Sequence, residues 1–395
     1  SPLGGATPNA IALGPAGEVY LTGGGSSVAF PTANSIQPFV SGNFFWTSDR
    51  GATWTASSVT ASTSISAGPF FNPFPFFIPA VAIDPKTPSR VFALTDRLYV
   101  SNDRGQSWTL LGTPGTIQLL GPLSGPTLVL DPLTPTTMYA ASICTAGVGN
   151  GNPSCGVSKS TDGGVTWTFT PITVPGSGPQ SPPALVNGLA INPKTPSILY
   201  ASTGNAGIYK STDAGATWRR TGSVATTNAV AVDPLNPAVL YASSGSGAIG
   251  FLSKSNDAGA TWAIIANGLP LGWFASLLIT DPVMQGRVYA VGSFPTTGVY
   301  RTDNGGNNWV KIGSGVPDGP IFALAVDPSN SPVVYAAPSA GGLYRSTNTG
   351  ASFTLVPGLR IPVVNAIAID PTNSSQIYTG TQFNPGDAFV MKIVP

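Results

Sequence analysis

Apolar and polar positions alternate along this chain in short runs. Segments such as AVAID (80–84), LAIN (189–192), AVAVD (229–233), ALAVD (323–327) and AIAID (366–370) each meet a proline. They then resume as VFAL (91–94), ILYAS (198–202), VLYAS (239–243), VVYAA (333–337) and QIYTG (376–380). Runs this short, rich in Val, Ile and Tyr and bounded by Asp, Pro, Asn and Gly, predict β-strands joined by tight turns. Each Asp-Pro unit reads as one hairpin. The first copy, AIALGPAGEVYLTGG (10–24), is looser but has the same form.

A second pattern alternates with the first. It reads Thr47, Asp49, Gly51, Thr53, Trp54, and then Ser101, Asp103, Gly105, Ser107, Trp108. It returns with Ser160, Asp162, Gly164, Thr166, Trp167, with Ser211, Asp213, Gly215, Thr217, Trp218, and with Ser255, Asp257, Gly259, Thr261, Trp262. Two degenerate copies follow, centred on Asn304 and Asn348. This S-x-D-x-G-x-T-W pattern predicts another hairpin. Asp or Asn accepts backbone N–H bonds across the turn, and Gly takes a positive φ. The Lys or Arg just before several copies (Lys159, Lys210, Lys254, Arg301, Arg345) reads as a solvated strand position.

Together the two hairpins make a unit of four strands, a–b then c–d. The repeat glycines recur every 44 to 59 residues, the length of a propeller blade. The prediction is an all-β chain, a single β-propeller over 1–395. Its blades fall at approximately 9–58, 79–112, 127–171, 186–222, 228–266, 276–313, 322–357 and 364–395. Eight a–b hairpins but only seven c–d hairpins are present, because the last unit ends in one strand, DAFVMKIVP (387–395). An eight-bladed ring with an incomplete last blade is the first expectation. Seven blades with a displaced terminal hairpin is the second.

The repeated turn resembles the Asp box of bacterial neuraminidase repeats. Across nearly the whole chain the units resemble Asp-box propellers: sialidases, tandem-propeller xyloglucanases, sortilin-type receptors and the photosystem II assembly propeller. The two ends, AIALGPAGEVYLTGG with its following FPT and the terminal GDAFVMKIVP, resemble the bacterial beta-propeller repeat family of long secreted proteins. That resemblance implies a piece of something larger. Asp boxes occur in enzymes and non-enzymes alike, so the resemblance is specific for fold and not for activity.

Composition narrows the function classes. Only 8% of the 395 residues are charged and the net charge is +1, against about a quarter charged in an average protein. Such a surface has no field to recruit nucleic acid or an anionic membrane. No apolar run reaches the ~18 residues of a membrane-spanning helix. Low charge, the absence of histidine and abundant Gly (48) and Pro (39) point to an extracellular or cell-surface protein, any export signal having been removed. Cys144 and Cys155 share one loop, which predicts a short-range disulfide; the alternative is two free thiols.

Without histidine, Ser-His-Asp and Cys-His sites and His-ligated metals are excluded. No metal or cofactor is implied. Glu18 is the only glutamate and lies in an a–b turn. Asp84, Asp131, Asp233, Asp281, Asp327 and Asp370 belong to Asp-Pro turns, five more to the boxes, and Asp303 sits beside one. Asp96, Asp318 and Asp387 are left. Strand alternation puts the Asp-Pro and box turns on one face, here the bottom, and the b–c and d–a connections on the top. All three spare aspartates fall on the top, with Arg97, Trp273 and Arg360. If the chain is an enzyme, these carboxylates are its candidate acid and base. Five phenylalanines, Phe70, Phe71, Phe74, Phe76 and Phe77, share one top connection. They either cap the core or offer a patch to a partner.

Leu359-Arg360-Ile361-Pro362 is similar to the sialidase Arg-Ile-Pro motif, but it follows the last box instead of preceding the first, and no glutamate serves the top face. In tandem-propeller xyloglucanases the substrate lies between two propellers, and one is present here. The leading expectation is therefore a non-enzymatic structural or adhesive propeller that self-associates, or joins a neighbouring domain, by strand addition at its incomplete blade. A carbohydrate-binding propeller, with Trp273 as a stacking platform, and a glycoside hydrolase are the alternatives.

Overall fold

A computed structural model describes residues 6–13, 19–25, 43–47, 49, 55–58, 80–94, 98–112, 128–145, 154–174, 184–222, 226–246, 249–294, 296–356, 363–382 and 389–393. Among them every regular element is a strand. Six blades are built from four consecutive antiparallel strands. The first comprises Ala80–Ile83, Val91–Leu94, Leu98–Ser101 and Thr109–Leu110. The other five occupy 128–171, 186–221, 227–264, 274–312 and 321–355.

The chain ends depart from the first expectation. A seventh four-stranded sheet combines the last Asp-Pro hairpin, Val363–Ile369 and Ile377–Gln382, with the first box hairpin, Asn43–Thr47 and Thr55–Ser58. Inner strand Val363–Ile369 also packs against Ala80–Ile83, so the ring closes on itself. The looser first hairpin, Ala6–Leu13 and Val19–Gly25, pairs with Phe389–Ile393 in a separate three-stranded sheet. Residues 9–58 and 364–395 therefore do not form a blade each. Joining the two ends completes the last blade of the ring within one chain, while the three-stranded sheet has Ala6–Leu13 and Phe389–Ile393 as its two edges.

The box turns are dense hydrogen-bond knots. In the third consecutive blade, Ser211 Oγ donates to Asp213 Oδ1 at 2.8 Å and accepts from Gly215 N at 2.8 Å, while Thr217 N donates to Asp213 Oδ1 at 2.9 Å. The same bonds recur around Asp103, Asp162 and Asp257. Asn304 and Asn348 keep the Oδ1 contacts, so the degenerate copies are the same turn. Gly215 has φ 82° and faces Tyr139 of the preceding blade, where a Cβ would meet the ring at 3.1 Å. Only glycine meets both demands. Asp49 is exposed. Hydrogen bonds hold the carboxyls of Asp162, Asp213 and Asp257 at about 2, the hydroxyls of Thr166, Thr217 and Thr261 contributing most.

The cations that precede five of the boxes are not solvated positions. Lys210 Nζ and Tyr200 Oη both donate to Ala258 O in the box turn of the next blade, at 3.0 and 3.1 Å. Arg301 reaches Thr349 O at 2.6 Å in the same way. Lys159, Lys210 and Lys254 lie over the rings of Tyr139, Tyr200 and Tyr241 at 5.8, 5.6 and 5.9 Å, within cation–π range. Blade thus latches to blade through a Tyr–cation pair. Burial pushes the phenols of Tyr139, Tyr200, Tyr241 and Tyr289 up to about 12. Cys155 is buried and disulfide-bonded; Cys144 is the chain's other cysteine.

Candidate functional site

On the bottom face the Asp-Pro turns are self-contained. Asp84 Oδ1 accepts Lys86 N and Thr87 N at 2.9 and 3.0 Å, and Asp281 Oδ1 accepts Val283 N and Met284 N at 2.9 and 3.0 Å. Asp84, Asp233, Asp281, Asp327 and Asp370 are all buried. These carboxylates hold loops and have no access to a substrate. A cavity of about 370 Å³ sits on the axis at this end, walled by aliphatic residues including Val81, Ile83, Ile279 and Ile369, with Pro282 and Pro328. No acid lines it. Asp303 is held by Arg287 at 2.6 Å and Arg301 at 2.8 Å. Burial alone would raise its carboxyl, but the two arginines outweigh it and the net shift is downward.

The top face differs. Of the spare aspartates, Asp318 is exposed on the connection between Val310–Ile312 and Ile321–Val326. Asp96 and Asp387 lie outside the described residues, as do Arg360 and the five phenylalanines Phe70, Phe71, Phe74, Phe76 and Phe77. Trp273 corrects the surface reading. It is 1% exposed, donates its indole N–H to Thr296 O at 3.1 Å and meets Tyr300 edge-on at 4.8 Å. Its position between two blades makes it core, and it cannot stack a ligand. Among the described residues, no group of three or more His, Cys, Asp or Glu stands close enough to hold a metal ion.

The inner strands carry a feature that the acids and aromatics do not reveal. Five of the seven, those of consecutive blades, have a β-bulge where they enter from the top. The bulged residues are Asn187, Asn228, Ser276, Phe322 and Asn365, and the first hairpin skips Asn9 at the same place. A bulge turns a side chain out of the sheet's alternation. Asn187 Nδ2 donates across to Thr227 O of the neighbouring inner strand at 3.2 Å, and Asn228 Nδ2 donates to Gly245 O at 3.0 Å. Phe322 is 45% exposed. The signal was present in the sequence as N-G-L-A-I-N, N-A-V-A-V-D and N-A-I-A-I-D, an Asn five residues before each turn acid or its Asn equivalent.

No family model matches the chain. A xyloglucanase of Hypocrea jecorina (strain QM6a) is 33% identical over 162 residues, which cover 38% of this chain and 18% of that protein. The match therefore spans less than a fifth of the length of this curated relative. Among solved structures, the GH74 enzyme of Niastella koreensis superposes with a TM-score of 0.61 at 20% identity, over 80% of this chain and 52% of that one. YCF48 bound to D1 peptide superposes with a TM-score of 0.54 at 15% identity, over 79% and 95%. At these identities the structural likenesses establish the propeller fold and nothing finer.

Proposed function

We propose that this chain is a glycan-directed propeller of the glycoside-hydrolase kind, acting through its top face on a neutral plant-type polysaccharide such as xyloglucan. The observation that carries this reading is the 33% identity over 162 residues to a xyloglucanase. Physical features support it. A net charge of +1 with 8% charged residues suits an uncharged polymer and discourages charged ones. The scaffold consumes nearly every carboxylate it carries. Asp318 is exposed where substrate could reach it, and Asp96 and Asp387 are the other two carboxylates that no Asp-Pro turn or box uses.

Glycoside hydrolysis needs two such groups. One carboxyl protonates the leaving glycosidic oxygen, while the other activates a water or attacks the anomeric carbon. We assign Asp318 to one of these roles and Asp96 or Asp387 to the other.

The test is incubation of the purified chain with xyloglucan, followed by reducing-end release and product size, beside retention of the protein in a xyloglucan-containing native gel. The native chain should be retarded and should release oligosaccharides. Asp318→Asn should lower kcat by about 10²-fold or more with KM little changed. A native chain neither retarded nor active on xyloglucan would overturn the proposal.

A further inference from the structure

We infer that the top mouth of the ring, where the inner strands bulge, is a binding subsite for a neutral sugar unit: the carboxamides of Asn187, Asn228 and Asn365 take its hydroxyls and Phe322 takes its apolar face. The inference rests on the glycan reading above and adds residues other than the aspartates.

The bulge recurs at the same register in consecutive inner strands. A ladder that breaks at the same place in five neighbouring inner strands sets their bulged residues at one level about one axis. Bulges of this kind lie next to functional sites more often than elsewhere in sheets. Here the five bulged residues are uncharged, so what they offer a ligand is neutral donors, acceptors and apolar surface.

The hydrogen-bonding capacity of these residues is only partly used. Asn187 and Asn228 each spend an Nδ2 proton on a backbone carbonyl, which fixes the orientation of the amide. Among the described residues nothing donates to their Oδ1 atoms, so two oriented acceptors remain. Asn365 Nδ2 is buried without a partner in the protein, as are Thr227 Oγ1 and Ser244 Oγ, which face each other across the hairpin beside Asn228. Buried polar groups are nearly always satisfied. Among the described residues seven buried side-chain N or O atoms lack a partner, and these three stand at the top ends of the inner hairpins. A sugar hydroxyl both donates and accepts, and a carboxamide matches it with an acceptor oxygen and a donor nitrogen.

Phe322 supplies the other half of the chemistry. It is the one bulged position with an aromatic ring, and that ring is 45% exposed on the inner strand that packs against the Asn365 strand. An exposed ring and carboxamides at one register of neighbouring inner strands supply the mix of apolar and polar groups that a small-ligand site uses. An extended peptide would also use carboxamides, but the one exposed aromatic ring among five uncharged bulged residues favours a pyranose.

The experiment uses the full chain carrying Asp318→Asn, which blocks turnover while leaving the mouth intact. Xyloglucan oligosaccharides and cellotetraose are titrated calorimetrically into this protein and into the same protein with Phe322→Ala or Asn365→Ala. Phe322 is exposed and Asn365 Nδ2 has no partner to lose, so both variants should unfold within about 2 °C of the parent. The expected result is binding weakened at least tenfold in each. Parental affinity in both variants would overturn the subsite while leaving the glycan function standing. A parent that binds neither oligosaccharide would overturn the glycan function first and this ligand class with it. Binding of extended peptides instead, lost in the same variants, would overturn the sugar assignment.

Discussion

Ser211→Ala is the most exacting test of the repeated turn. Ser211 is 1% exposed. Its Oγ is the acceptor for the Gly215 amide at 2.8 Å and a second, longer contact for the Asp213 amide at 3.3 Å. It also donates to Asp213 Oδ1. Removing it strands the buried N–H of Gly215, at a cost of about 1–3 kcal/mol, and forfeits a bond to an exposed carboxylate, worth about 1 kcal/mol after solvent screening. The expected loss is about 2–4 kcal/mol.

Asp213→Asn is the control. Asn348 shows that a carboxamide fits this turn, with Oδ1 accepting from Ser346 Oγ and Ser352 N and Nδ2 donating to Ser352 Oγ at 2.8 Å. The carboxamide introduced by Asp213→Asn can repeat that set with Thr217, and the site is solvent-exposed, so the change should cost less than about 1 kcal/mol. Urea unfolding at pH 7 with the disulfide intact gives both values. Amide exchange gives a local readout, since Gly215 N–H should exchange faster in Ser211→Ala. A Ser211→Ala protein within about 0.5 kcal/mol of the parent, or an Asp213→Asn protein less stable than Ser211→Ala, would refute the assignment of the serine as the turn's central acceptor.

Two further outcomes follow from the same geometry. The carboxyls of Asp162, Asp213 and Asp257 sit at about 2, below their unfolded value of 3.8; a lowered folded-state pKa contributes stability that is present above the unfolded value and is lost as pH falls toward the folded one. Thermal unfolding should therefore be flat with pH above about 4 and decline between about 4 and 2, and a protein whose melting temperature holds level to pH 2 would contradict it. Trp273→Ala should cost about 3–5 kcal/mol, as for a large buried aromatic, with glycan affinity unchanged per folded molecule. Lost affinity at full stability would instead restore Trp273 to the surface.

The sequence by itself determined the local structure. Turn chemistry is local, so S-x-D-x-G-x-T at Asp213 or Asp257 and Asp-Pro at Asp233 or Asp281 could be read as hairpins wherever they fell. Their alternation then implied four-stranded blades. The acid inventory was equally legible, because a carboxylate already binding two backbone amides two and three residues ahead is recognisable from its spacing. What the sequence could not rank was the partner of each terminal hairpin. Strand pairing there is non-local, and Asn43–Thr47 reaches Ile377–Gln382 only when the ring closes.

Tertiary structure also decided burial. Trp273 has the look of a surface aromatic in a top connection until blade packing places Tyr300 against it. Lys210 looks like a solvated strand residue until the next blade's Ala258 carbonyl arrives beside it. The bulged ring of Asn187, Asn228, Phe322 and Asn365 is the same kind of fact. Each residue is an ordinary member of a strand in the sequence, and only the shared register around one axis brings them to a common level. Local chemistry is written in neighbours along the chain. Closure, burial and convergence depend on neighbours the chain meets only after it has gone around the ring.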